Sequence, residues 1–464
     1  VRRIAAELAL LARDPRPRWI AAVLVVLLAV AGLGTWRDAA RYQGEAERIA
    51  AAERERWLSQ DPKNPHSADH YGLWVFRPSA PLAVLDPGTE PYTGRMVRVE
   101  AHLFNDAVYR AVQDAGPLAR AGLSSPADIV QLVVPLAAIL LGFSAFAADR
   151  ERGTLRLALG NGAAPGRLFA GRFAALLVAT AAVVGLPLLA LGGPAAAQLG
   201  APGWQAGPRL LAWVAAQVAY AAAFLLLAML LSLIARTARG ALAASLVVWA
   251  VLCVAMPRLV TAGVEAAVPA PTYGETRARI ETTFRAHRTA EASDSRAREV
   301  LERYGVQDPD ELPVDLRGLM MSENESHNVA VYDREFGAFF AGLAARDAAL
   351  ARAGLLSPRL ALQVLSQTLA GTDFAQHAHF VWAAEAYRRG ISERMNAEIR
   401  DNPQRGGRLL IADPALWRAV PPFDPAPLPL ARSLADAAVP AAILALWLAV
   451  LAGLAVPLVR RLTP

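Results

Sequence analysis

Lysine is almost missing from this 464-residue chain: Lys63 stands alone among 47 lysines and arginines. A phosphate-binding G-x-x-x-x-G-K loop needs lysine after its glycines, and no such motif exists here, so the chain does not bind ATP by that route. Cysteine is equally scarce. Cys253 lies in an apolar run, which excludes an intrachain disulfide and a cysteine metal cluster and reads as a small buried side chain. There is no G-x-S-x-G, no H-E-x-x-H and no recognisable catalytic triad. Paired carboxylates (Glu323 with Glu325, Asp308 with Asp310) sit in polar stretches, where solvated faces or first-turn helix charges account for them.

What is abundant is apolar sequence. Hydrophobic residues make up 55% of the chain, above the about 45–50% of globular domains. The formal charge of +6 is carried by arginines that flank apolar runs, with no basic patch of interleaved aromatics. That charge reads as a determinant of membrane topology, and nucleic acid is not expected as a partner. Six runs have the length of membrane spans: 19–36, 128–147, 173–192, 209–234, 240–257 and 435–459. The first, bracketed by Trp19 and Trp36, reads as an uncleaved anchor, because no small-x-small cleavage site follows it. Residues 1–18 form an amphipathic interfacial helix, with Ile4, Leu8 and Leu11 on one face, broken at Asp14-Pro15.

The short connectors are arginine-rich between spans two and three and between spans four and five, whereas the Gly/Pro turn expected at Gly192–Pro208 has no charge. The positive-inside rule therefore puts both termini in the cytoplasm and two polar regions, 37–127 and 258–434, outside it. The expected fold is an all-α integral membrane protein with six transmembrane helices and a mainly helical extracytoplasmic domain. In the first polar region a charged helix over Asp38–Trp57, a short strand over Val97–His102 and a helix over Leu103–Ala115 are expected. In the second, Val329, Tyr332, Phe336, Phe339 and Leu343 share a helix face ending near Gly354. Ser357-Pro358 and Asp373 open the next two helices.

The span interiors contain no Asp, Glu, Lys, Arg or His, so no ion relay is legible and the energy for any work comes from elsewhere. Gln217, the most polar side chain at depth, reads as an interhelical hydrogen-bonding group. The connector 148–172 carries Asp149, Arg150, Glu151, Arg152, Gly153, Thr154 and Leu155, followed by Pro165-Gly166-Arg167-Leu168 and Gly171-Arg172. This stretch, between the second and third of six spans and behind an amphipathic N-terminal helix, resembles the signature of ABC-2 type transporter permeases. Gly171-Arg172 stands where the family has Gly-Lys. Asn64-Pro65-His66-Ser67-Ala68, Tyr71-Gly72 and Glu100-Ala101-His102 resemble a subfamily with large extracytoplasmic insertions of unassigned role.

The resemblance implies a permease subunit in a bacterial inner membrane, paired with itself or a related permease. An ABC ATP-binding subunit would carry ATP and Mg²⁺, and the chain itself would hold no cofactor and be no enzyme. Residues Asp149–Leu155 would form the coupling element: Arg150, Glu151 and Arg152 contact the ATPase, Gly153 allows a tight turn and Thr154 caps the next segment. Export is the expected direction. Two alternatives are a mechanotransmission protein that moves its external domain without transport, and a membrane-anchored metal-handling factor. The last rests on the histidines, since all seven fall in the two polar regions. His66 and His70 would share a helix face and could clamp a metal, with His102 a further candidate, but Pro65 and the turn-rich surroundings argue against a helix there. His377 and His379, two apart, diverge on a helix.

Overall fold

The computed structural model describes residues 2–114, 116, 124–200, 203–287 and 289–462. Six helices are long and apolar enough to cross a membrane, and the protein is a multi-pass membrane protein. Helix α1 (Arg2–Arg13) precedes α2 (Pro15–Leu58), which is one unbroken helix of 44 residues. At 1.5 Å per residue α2 is about 66 Å long, twice the about 30 Å of a hydrocarbon core, so its second half stands clear of the bilayer. The other spans are α6 (Pro126–Gly142), prolonged by a short α7 (Ala147–Glu151); α9 (Pro165–Gln198); α10 (Gly203–Ile234); α11 (Ala238–Ala250), joined by a π-turn to α12 (Met256–Ala267); and α19 (Leu430–Arg460).

Helix α10 is the axis of the bundle. Its apolar window is 72% buried, against 17–33% for α2, α9, α11–α12 and α19. Trp213, Tyr220, Phe224, Leu225 and Met229 of α10 are fully enclosed, whereas Val23, Val26 and Val30 of α2 and Val450 and Leu454 of α19 face outward. An apolar exterior around an apolar core is what lipid contact requires. The π-turn frees backbone carbonyls that a membrane cannot hydrate, and they find partners: the Ser357 hydroxyl donates to Leu252 O at 2.6 Å and Arg359 donates to Cys253 O. Gln217 behaves as expected, its amide donating to Ser366 Oγ at 3.4 Å, where the Trp213 indole also donates at 2.8 Å.

The polar segments between the first and second spans and between the fifth and sixth fold into one module around a shared core. Trp57 at the end of α2 joins Leu73, Val75, Val97 and Val99 from the first segment and Phe284, Tyr332, Phe336, Phe380, Met395 and Trp417 from the second. The Trp57 indole donates to Trp417 O at 2.8 Å, which pins the tip of the long helix into this core. The first segment holds α3 (Pro65–Tyr71), α4 (Glu90–Thr93), α5 (Ala111–Asp114) and an antiparallel pair, β1 (Leu73–Phe76) with β2 (Met96–Val99). The second holds α13 (Tyr273–His287), α14 (Ala290–Tyr304), α15 (Leu316–Ala353), α16 (Pro358–Ala370), α17 (Phe374–Asp401) and α18 (Ala415–Arg418).

Four local expectations change. The turn expected at Gly192–Pro208 shrinks, because α9 continues through Pro194 to Gln198 and α10 starts at Gly203. The helix expected over Leu103–Ala115 is reduced to Ala111–Asp114, with Ala115 outside the described residues. Residues 103–108 instead hug the sheet through bridges Glu100–Leu103 and Met96–Val108. Pro65 does not prevent a helix at His66; it starts one, at the first helical position, where its missing N–H costs nothing. Finally, α16 does not join the polar core: Leu362, Leu365 and Leu369 pack in the cluster built by α10 and α19. Ser357 and Asp373 cap α16 and α17 as the sequence indicates.

Candidate functional site

Two places gather chemistry, one at each end of the bundle. At the first, α7 leads through Gly153 into α8 (Thr154–Gly160). Gly153 takes φ +74°, the left-handed turn that glycine permits. The hydroxyl of Ser232, on α10, accepts from the backbone N–H of Phe146 at 3.0 Å and of Ala147 at 2.9 Å. Arg150 points inward and caps the end of α10, its guanidinium donating to Ser232 O, Leu233 O and Ala235 O at 3.3, 2.8 and 2.6 Å. A cation on the last carbonyls of a helix satisfies both their hydrogen bonding and their dipole.

Asp149 is also engaged internally: Arg172 of α9 pairs with it at 2.6 Å and the Thr154 hydroxyl donates to it at 2.9 Å. Arg172 reaches on to Glu7 of α1 at 3.7 Å and donates to Ala145 O. Leu155 is buried in the bundle core. Of the seven residues singled out in this connector, Asp149, Arg150 and Leu155 therefore brace the hairpin. Thr154 is no cap, since Gly153 occupies that position and the Thr154 hydroxyl turns back to Asp149. What faces outward is a ledge of Glu151, Arg152, Arg156 and Leu157, the last 67% exposed.

At the second place, in the polar module, His66 and His70 on α3 meet His102, which follows β2. One ring nitrogen of each lies within 4.8 Å of the other two. His66 Nε2 and His70 Nε2 are 3.2 Å apart. Asn64 opens α3 by accepting from His66 N at 3.0 Å. His102 sits at φ +65°, which a non-glycine residue adopts only under constraint, and Tyr332 holds it there by donating to its carbonyl at 2.8 Å. Its Nδ1 is 3.1 Å from Glu325 Oε2.

Glu325 is thus not a solvated helix charge. It is buried on α15 and pairs at 2.7 Å with Arg388 of α17, itself 1% exposed and bidentate to Glu385 at 2.7 and 2.8 Å. Burial pushes the Glu325 carboxyl up, but the hydrogen bonds and charges of His102 and Arg388 outweigh it, and its pKa lies below the ordinary value. Burial opposes the Arg388 charge too, yet Glu385 and Glu325 raise its pKa. Burial, then the charges of His102 and His70, hold His66 down to about 4. Burial and His102 lower His70, against the pull of Glu100. Neighbouring Asp69 is pushed up to about 6 by burial, with a Ser392 hydrogen bond opposing.

The spacing of four between His66 and His70 was visible in the sequence, and His102 stood beside them as a candidate; the convergence with Glu325 and Arg388 was not visible, because those residues lie 259 and 322 positions away from His66. The remaining histidines stay apart from this centre. His287 and His327 stack with ring centroids 3.7 Å apart. His377 is buried and held down to about 3, chiefly by burial, while His379 Nε2 lies 2.8 Å from Ala426 O.

Residues 274–426 match the family described as a domain of unknown function, DUF3526. That stretch covers α13 to α18, and so includes Glu325 and Arg388 but neither α3 nor the α7–α8 hairpin. No curated protein matches the chain.

Proposed function

We propose that this chain is the membrane-spanning permease subunit of an ABC-2 type transporter, an exporter, driven by a separate ATPase that docks on the α7–α8 hairpin. One observation carries the reading: the hairpin is braced from behind by Arg150 on α10 and by the Asp149–Arg172–Glu7 chain, and presents Glu151, Arg152, Arg156 and Leu157 outward. A push on that ledge reaches α1, α9 and α10 through half-buried polar contacts. The lone lysine fits hydrolysis on a partner, with ATP and Mg²⁺ bound there. The clustered arginines at this end fit a cytoplasmic face in a bacterial inner membrane. A second permease, identical or related, would complete the pathway between paired bundles.

The continuity of α2 supports a second reading, mechanotransmission without transport. A rigid helix that crosses the bundle and ends at Trp57 in the module core would carry a tilt at the membrane directly into that module. Both readings share the docking ledge, and the same experiment tests it. The chain is purified in mild detergent from its native membranes, and the retained ATP hydrolysis is measured per chain. Arg152→Glu/Arg156→Glu/Leu157→Asp should lose at least about tenfold of the retained activity at an unchanged tryptophan spectrum, since interface charge reversal and a lost apolar anchor together cost several kcal/mol. Retained activity equal to that of the unaltered protein would remove the ledge as the docking surface. Transport into vesicles of the reconstituted pair then separates the two readings.

A further inference from the structure

The histidine centre has a geometry that the proposed coupling role does not use. Its three imidazoles come from two elements that are separately anchored: α3 by its Asn64 cap and by Asn64 Nδ2 donating to Leu410 O at 3.1 Å, and the His102 turn by Tyr332. The 3.2 Å between His66 Nε2 and His70 Nε2 is close to the edge of a tetrahedron of nitrogens around Zn²⁺, about 3.3 Å for bonds of about 2.0 Å. Bringing the third nitrogen in from at most 4.8 Å needs a movement of about 1.5 Å or less. With Nδ1 of His102 facing Glu325, its Nε2 is the nitrogen left to coordinate. Carboxylate-to-histidine contacts of this kind orient metal-bound imidazoles and raise their basicity. Here the carboxylate is itself fixed, by the ion pair with Arg388.

We propose that His66, His70 and His102 bind one divalent transition-metal ion, Zn²⁺ before others, with Glu325 positioning His102 and a fourth coordination place open to solvent. Three neutral imidazoles select borderline ions such as Zn²⁺ over Mg²⁺ and Ca²⁺, which prefer oxygen. His70 is exposed and the other two are half-buried, so the ion enters from water and its fourth ligand is exchangeable. Three protein ligands with one open place is the pattern of zinc sites that exchange or activate a ligand; structural sites are closed by four. The ion would also tie the seam of the module, because α3 and the His102 turn belong to the first polar segment and Glu325 to the second.

The test uses the full chain without an affinity tag, stripped with chelator in detergent and titrated with Co²⁺ and then Zn²⁺. Expected is one Co²⁺ per chain with the intense visible absorption of a tetrahedral site, displaced by one Zn²⁺. His70→Ala, whose side chain is exposed, should weaken binding by at least about a hundredfold at an unchanged circular-dichroism spectrum, and Glu325→Gln by about ten- to a hundredfold. His287→Ala, in the stacked pair elsewhere in the module, should bind as the unaltered protein does. The proposal is overturned if the unaltered protein takes up Co²⁺ no better than His70→Ala, or if His287→Ala loses as much. Because the readout is metal bound to the purified chain, it is independent of whether an ATPase docks at the other end.

Discussion

Replacing Arg388 with methionine should destabilise the polar module by about 3–5 kcal/mol, the range for removing one partner of a buried ion pair. The side chain is 1% exposed and neutralises two carboxylates that are nearly as deep, Glu385 at 4% and Glu325 at 6%. Methionine fills much of the volume but leaves Glu325 with His102 alone and Glu385 with the half-buried Arg389, 2.8 Å away. The loss is therefore electrostatic and not a packing defect. A drop of about 10 °C in the midpoint of the module's thermal transition is expected, followed by the emission of Trp57 and Trp417, which are fully buried in its core. Adding Glu385→Gln to Arg388→Met should return part of the lost stability, because a neutral amide removes one stranded charge. If the double variant is no more stable than the single one, the stranded-charge account is wrong and arginine's packing is what mattered.

The same cluster shows where sequence reasoning stops. Glu325 follows Glu323 by two positions, so on a helix they point to different sides, and nothing local says which side is covered. Glu323 is indeed partly exposed and pairs with Arg303, whereas Glu325 turns into the core. That choice is made by α17, about sixty residues later, and by the His102 turn more than two hundred residues earlier. The spans were legible for the opposite reason: twenty consecutive apolar residues fix their environment with no partner named. Caps such as Ser357 and Asp373 were legible because their hydrogen bonds close within three residues. The α7–α8 hairpin was half legible. Its sequence marks it as a special connector, but charge alone does not separate Arg150, bound to the end of α10, from Arg152, which lies outside. Position relative to Ser232 and Ala235 decides that, and only the fold supplies it.

Gly318→Ala should open the contact between α15 and α17 and destabilise the module strongly. A Cβ built on Gly318 would lie 2.3 Å from the backbone nitrogen of Arg400, 2.6 Å from its Cα and 2.8 Å from the carbonyl carbon of Ile399. All three are main-chain atoms of α17, so no side-chain rotation relieves the overlap and the two helices must part. Gly318 lies in the first turn of α15, where its N–H donates to the Asp315 cap at 3.1 Å, and Asp315 N donates to Arg400 O at 2.8 Å. Separation therefore breaks an interhelical hydrogen bond and shifts the cap together with the steric clash, for a cost of about 3 kcal/mol or more. Gly337→Ala makes the same chemical change on the same helix with nothing within 4 Å of the new methyl, and should stabilise by up to about 1 kcal/mol through helix propensity. Opposite signs from one substitution at two places nineteen residues apart would establish that α15 and α17 touch backbone to backbone at Gly318. Amide exchange gives the spatial readout: Gly318→Ala should speed exchange near 315–320 and 398–401 and leave the middle of α15 protected. Equal thermal stability for the two variants would mean that the helices do not approach this closely.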